Sequence, residues 1–406
     1  MKKYKQSLLV FAIGFYILII SCPLIDYYVN WYITLIPIIL ILYQATKYKS
    51  AFKSVLKTIL LGTILVNFSY YLFHRDAIYL NYSINGIIAW TPCFIAIICN
   101  NILKTSSQKK ILQIGVIAIL ITSLTTIQGL SLFPFAAREL AGAATEEIRN
   151  KYMLMNVGGF EFIYAIVILI PIIFWLIQNT NGILKQINFL VLISTLYCIY
   201  VSAYTTALII AAITILILLM NITPRIRKLL ISVIIIFLPL IGTGVLSDFF
   251  LYASKSVESE YVADRLLQVS LLLQGQSINN IDTETSNERL ILMQNAWEGF
   301  CNSPLWGNNW IEWNKTLLSG HSFVLDILSS SGIIGLIIYF LIFYSIFKTC
   351  LMCNFKALFF HSKIVWITFI IVTIMNPSAF PIIYLVIFTY TSIINNLSRT
   401  NIKCKQ

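Results

Sequence analysis

The sequence predicts an all-α polytopic membrane protein of about twelve transmembrane helices, with both termini cytoplasmic and one large external loop carrying short helices. Three observations predict it. Apolar runs of spanning length recur along all 406 residues, with 59% hydrophobic and 11% charged side chains, a balance no soluble domain carries. The charges also segregate: all 16 acids fall on one side of the implied membrane and 20 of the 28 Lys and Arg on the other. Finally, one polar stretch of 72 residues, Ser247 to Leu318, interrupts the apolar pattern.

The spans are expected near 7–23, 31–46, 57–73, 84–103, 111–132, 158–177, 187–203, 205–221, 229–247, 329–348, 361–376 and 380–395. Connectors on one side hold Lys2, Lys3 and Lys5, then Lys47 to Lys57, Lys104 to Lys110, Lys185, Arg225 to Lys228, Lys348 to Lys363 and Arg399 to Lys405, without one acid. The positive-inside rule makes them cytoplasmic. The net charge of +12 is therefore a topology signal, thinly spread over seven segments, and no nucleic-acid partner is implied.

The first 22 residues resemble a signal peptide, and Ile19-Ile20-Ser21-Cys22 approximates a lipoprotein cleavage box; a retained first span with Pro23 beyond it is the preferred reading. The eight cysteines form no disulfide framework. Cys350-Leu-Met-Cys353 is a lone CxxC with no second ligand pair, so an ordinary reduced pair is expected rather than zinc.

The whole chain, 1–406, is one integral membrane domain with two external segments. The smaller, 133–157, carries Arg138, Glu139, Glu146, Glu147, Arg149 and Lys151, reads as a short interfacial helix over Ala136 to Tyr152, and ends in a flexible hinge, Asn156-Val157-Gly158-Gly159-Phe160. The larger, 247–318, predicts one helix over Val257 to Gln274, a polar linker from Gly275 to Ser286, and a second helix from Asn287, its cap, to Phe300. Pro304 and Gly307 end that helix. Trp306, Trp310 and Trp313 follow as headgroup anchors, with stacking on sugar rings as the alternative.

Chemistry belongs on this external face. No Asp or Glu occupies a mid-span position, and Glu161 lies close to the exterior, which argues against a proton- or sodium-coupled transporter. The large loop has nine acids against four bases, so an anionic substrate needs local cations. Arg265 and Arg289 fit phosphate oxygens with bidentate forks, or equally form weak surface pairs with Asp264, Glu288 or Glu260. His321, between Gly320 and Ser322 where an apolar run begins, sits at the outer surface, and an imidazole there can accept a hydroxyl proton. His74 has a weaker claim, and His361 is cytoplasmic. No external cluster has metal-ligand spacing; Asp282 and Glu284 lie in the polar linker.

The order Arg289, Pro304-Leu305-Trp306-Gly307, His321-Ser322 and Gly332-Ile333-Ile334-Gly335 resembles the signature of the O-antigen ligase and polymerase superfamily. Gly320-His321-Ser322 with Asp326, and Asn156-Val157-Gly158-Gly159-Phe160 before the sixth span, are more similar to its Wzy-type oligosaccharide repeat-unit polymerases than to its ligases. The motifs occupy 289–335, and the span pattern extends the likeness over the chain. The resemblance implies a cofactor-free glycosyltransferase of a bacterial cytoplasmic (inner) membrane, active on its periplasmic or extracellular face. It would transfer a growing O-antigen, capsular or related glycan from undecaprenyl diphosphate to the non-reducing end of another lipid-linked unit. The implied base is His321, and Arg289, Arg265, Arg149 and Arg138 are the candidates for the diphosphate. Membrane lipid, a chain-length regulator and a flippase are the implied partners. The sequence departs from the family in one place: an arginine in a Ser-Arg pair after the seventh span is associated with the diphosphate there, whereas this chain reads Ser202-Ala203-Tyr204-Thr205-Thr206. A ligase of the same superfamily, or a non-enzymatic flippase or exporter of lipid-linked sugars, are the alternatives.

Overall fold

A computed structural model describes residues 2–29, 31–57, 59–60, 89–140, 145–221, 228, 244–257, 263, 266–267, 270–271, 284–307, 322–351, 358–377 and 380–403. Among the described residues every regular element is a helix. In chain order they are α1 (Lys2–Ser21), α2 (Pro23–Tyr28), α3 (Trp31–Ala45), α4 (Thr91–Asn101), α5 (Thr105–Leu132), α6 (Ala136–Glu139), α7 (Glu146–Leu154), α8 (Phe160–Asn179) and α9 (Ile183–Val201). There follow α10 (Thr205–Met220), α11 (Val245–Ser256), α12 (Glu284–Asn302), α13 (Phe323–Leu351), α14 (Phe360–Met375) and α15 (Pro381–Tyr384). A π-helical segment, Leu385–Tyr390, joins α15 to α16 (Thr391–Lys403).

Five helices are long and apolar enough to cross a bilayer: α5, α8, α9, α13 and the continuous rod Pro381–Thr400. Shorter apolar helices cover Gln6–Ser21, Tyr32–Ala45, Thr91–Asn101, Thr205–Met220 and Phe360–Met375. The chain is a helical membrane protein. The expected spans at 57–73 and 229–247 lie almost wholly outside the described residues.

α8 is the hub. It is apolar all round, so no side of it needs water, and it buries an unbroken run from Phe162 to Ile173 against α9, α10, α14 and α15. The Pro381–Thr400 rod is buried beside it, from Ile382 to Tyr390 without a break. Helices nearer the periphery are built inside out. α9 turns Asn188, Ser194 and Thr195 inward and exposes Phe189, Leu190, Ile193, Tyr197 and Tyr200. Small polar residues let helices approach and bond across the bundle, as Thr214 of α10 does with Thr368 of α14 at 3.1 Å.

Two regions differ from expectation, the first being the segment 136–160. The hinge at 156–160 is clamped rather than flexible. Asn156 takes a left-handed φ of 55°, which asparagine tolerates, and its Oδ1 accepts from the Leu24 N–H at 3.1 Å. Its Nδ2 donates to Thr125 Oγ1 at 2.9 Å, while the Gly158 N–H donates to Thr126 Oγ1 at 2.8 Å. The glycines there serve packing: a side chain at Gly129 or Gly158 would collide with Val157 or Phe162. The interfacial helix expected over Ala136 to Tyr152 is likewise two short helices, α6 and α7, the second capped by Thr145.

The second difference is in α13, expected as one span over 329–348. Gly332 has φ 63° and ψ −165°, which no helix contains. Phe323 and Tyr339 stack edge-to-face at 5.8 Å, although sixteen residues of straight helix would separate them by roughly 24 Å. The chain therefore doubles back. Residues 323–331 form a short arm antiparallel to the long arm 333–351. Gly335 permits the close approach, since a Cβ on it would lie 2.1 Å from that of Ser331 and 3.8 Å from Ile327.

Candidate functional site at the external rim

The hairpin is held at both ends by the motif residues. Its tip receives the Pro304–Gly307 turn that ends α12. The Ile333 N–H donates to the Pro304 carbonyl at 2.9 Å and the Ile334 N–H to that of Leu305 at 3.3 Å, filling donors left open at the start of the long arm. The two backbones touch. A Cβ on Gly307 (φ 79°) would sit 2.3 Å from the carbonyl of Ser330, and one on Gly332 2.3 Å from that of Leu305. This is the physical content of the two glycine motifs: each provides a left-handed turn and a surface bare enough for the other.

At its other end the short arm begins at Ser322. The fully buried Ser322 Oγ accepts the Leu325 N–H at 3.2 Å as a helix cap and donates to the Ile374 carbonyl of α14 at 2.6 Å. Ser322 is thus level with the C-terminal end of α14, and the short arm runs about 13 Å from there to its tip.

Across the rim, α6 presents Arg138. Its Nη2 donates to the Ala203 carbonyl at 2.7 Å and its guanidinium lies 5.6 Å from the centre of the Tyr204 ring. Ala203 holds that carbonyl in place from a left-handed φ of 54°, a conformation that costs alanine about 1 kcal/mol. The Tyr204 hydroxyl donates back to the Ala137 carbonyl at 2.8 Å. Arg138 therefore occupies the Ser202–Thr206 corner, where the sequence itself has no arginine. Beside it the Tyr152 hydroxyl donates to Glu139 Oε2 at 2.5 Å, a bond that with burial and the carboxylate's charge pushes the phenol up to about 12. An aromatic chain leads from this corner to the start of α15. Tyr204 meets Phe160 at 5.6 Å and Phe160 meets Phe380 at 6.1 Å, four residues beyond Asn376.

The other expected residues are distributed less evenly. Arg149 is exposed on α7, with Glu161 as a charged neighbour. Arg289 lies on α12, which packs along α13. Trp306 is 67% exposed on the docked turn, with Leu305 beside it at 59%. His321, Arg265, Trp310 and Trp313 lie outside the described residues, as does His74. α12 starts at Glu284, so Asn287 is inside the helix and is not its cap. The helix expected from Val257 is preceded by α11, and the sequence reading assigned no helix between the ninth span and Val257.

Cys22 is buried between α1 and α5, where Thr122 Oγ1 donates to its sulfur at 3.3 Å, so it packs as a core residue. Cys350 is buried with its Sγ 3.5 Å from the Cys93 carbonyl. Among the described residues no three His, Cys, Asp or Glu side chains converge as a metal site would require.

Sequence reading missed Tyr152 and the role of Ala203 altogether. Nothing in local periodicity marks an alanine that must be left-handed, and the value of Tyr152 depends on a partner thirteen residues away. No family model matches the chain, and no curated protein or solved structure matches it.

Proposed function

We propose that the protein is a glycosyltransferase that polymerises undecaprenyl-diphosphate-linked oligosaccharide repeat units at the outer face of a bacterial cytoplasmic membrane. The same reading counts twelve spans with both termini in the cytoplasm. The observation that supports it best is a guanidinium, that of Arg138, held over Tyr204 in the corner where the resemblance leads one to expect an arginine and the sequence has none.

The reaction is a displacement at the anomeric carbon of the lipid-linked donor. A hydroxyl at the non-reducing end of the acceptor attacks, the new glycosidic bond forms, and the bond to the diphosphate breaks with its electron pair leaving on the phosphate oxygen. The hydroxyl proton passes to His321. Direct attack inverts the anomeric centre. The larger task is electrostatic, because negative charge grows on the departing diphosphate at a site whose long loop is net negative. Arg138, Arg289, Arg265 and Arg149 are the cations available for it. Arg138 has the most specific support, since it fills the corner that lacks the family's arginine. Trp306 stays in reach of sugar or headgroups, with Trp310 and Trp313 assigned the same role.

The test is a gel of surface glycans from cells lacking the gene, with and without its restoration. Collapse of the ladder to a single repeat unit supports the polymerase. Full-length polymer retained on undecaprenyl diphosphate assigns a ligase, and subunits trapped inside the cell assign a flippase. Restoration with His321→Ala or Arg289→Ala should fail although the protein is inserted and abundant, whereas Arg265→Ala should be milder if that residue only pairs with Glu260 or Asp264.

A further inference from the structure

α11 is inside out. Among its described side chains the buried ones are two serines, Ser247 and Ser254, and Ser247 Oγ lies 2.9 Å from Ser270 Oγ and 3.0 Å from the Ser270 carbonyl. Phe249 and Tyr252, three residues apart on one helix face, are instead 62% and 73% exposed. In water the free energy of the aromatic rings would favour the reverse arrangement. The same inversion marks the helices of the bundle, where α9 buries Asn188 and Ser194 and exposes Phe189 and Tyr197. α11 also follows a left-handed Gly244 (φ 77°), which redirects the chain directly after the apolar run 229–243. The helix therefore begins within the last residues of the expected ninth span, 229–247. Asp248 and Lys255 flank the aromatic face and are exposed.

We propose that α11 is a lipid-binding element that lies in the outer headgroup layer. Phe249 and Tyr252 enter the acyl boundary, while Asp248 and Lys255 remain among the headgroups and water. The partner is the bilayer itself. Membranes take up helices with one aromatic face and a charged border in this way, and tyrosine and phenylalanine suit that depth. Through the Ser247–Ser270 bonds the helix also holds the next stretch of the large loop down to the membrane. The inference rests only on the membrane character of the chain and is independent of the glycan reading.

Nitroxide labels at single cysteines replacing Asp248, Phe249, Tyr252 and Lys255 test it in lipid nanodiscs. Cys301, Cys353 and Cys404 are changed to serine, and the five buried thiols are kept. The expected result is a several-fold preference for oxygen over a water-soluble nickel chelate at positions 249 and 252, with the order reversed at 248 and 255. Equal access of the nickel reagent at all four positions would place the helix in water. Oxygen preference at all four would make it part of a span, and poor access of both reagents at 249 and 252 would mean protein covers the face. Each of these overturns the proposal. The unlabelled chain gives a second reading: a phospholipid with a photoreactive group near its glycerol should mark Phe249 or Tyr252, and absence of any adduct within 245–256 contradicts the assignment.

Discussion

Individual side chains at the rim are held by bonds that a sequence does not display. Ser322 follows the residue assigned as base, and its hydroxyl is both a helix cap and a cross-helix donor, so it fixes where the chain enters the short arm. Arg138 was legible as an external cation, but its reach to Ala203, 65 residues on, was not. Tyr152 illustrates the energetics. Its hydrogen bond to Glu139 holds a charged acceptor in a half-buried setting, and Tyr152→Phe should cost about 1–2 kcal/mol. The phenol is held above its ordinary value of 10.0, so this stability is complete below pH ~10 and is lost as pH climbs toward about 12, where the folded phenol also ionises. Melting of the purified protein in detergent should therefore show a gap between wild type and Tyr152→Phe at pH 8 that closes between pH ~10 and ~12. A gap independent of pH would remove the Glu139 bond as its cause.

At the scale of elements, apolar runs marked most helices correctly and misjudged what joins them. Gly332 lies inside the expected span 329–348, so the apolar run reads straight through it, although a left-handed residue there folds the helix in two. The hinge at 156–160 misled in the opposite sense. Two adjacent glycines suggest freedom, yet the segment is bound by Asn156, Thr125 and Thr126, and it is small so that neighbours can approach. α11 was hidden because its twelve residues of mixed polarity straddle the boundary set at Ser247 between the ninth span and the large loop. The hairpin makes a sharp prediction. Gly332→Ala places a methyl group against the Leu305 carbonyl in a left-handed backbone and should cost about 3 kcal/mol or prevent accumulation of the protein. Gly182→Ala, at φ 59° with nothing within 4 Å, should cost only about 1 kcal/mol. Equal melting temperatures for the two variants would mean that the Pro304–Gly307 turn is not docked on the hairpin.

For the molecule as a whole, span length was enough to identify a helical membrane protein, and charge segregation is the basis on which an outer working face is proposed. One end of the described bundle is joined by neutral side chains, with Asn100 bonded to Ser392 and Asn396, whereas Arg138, Glu139 and Tyr152 gather elsewhere, around short and bent helices. Covalent order alone cannot tell that residues from 138 to 380 share one rim, because the aromatic contacts linking them join helices far apart in sequence. The central claim is that this rim transfers glycan from a lipid diphosphate. The most direct measurement supplies the purified protein, in liposomes, with undecaprenyl-diphosphate-linked repeat units and follows product length. Wild type should build a ladder and release undecaprenyl diphosphate, one for each bond formed. Arg138→Ala should slow this by about a hundredfold, the loss of one well-placed cation, and His321→Ala should abolish it. A folded wild-type protein that makes no bond, or a ladder of normal length from His321→Ala, would contradict the account.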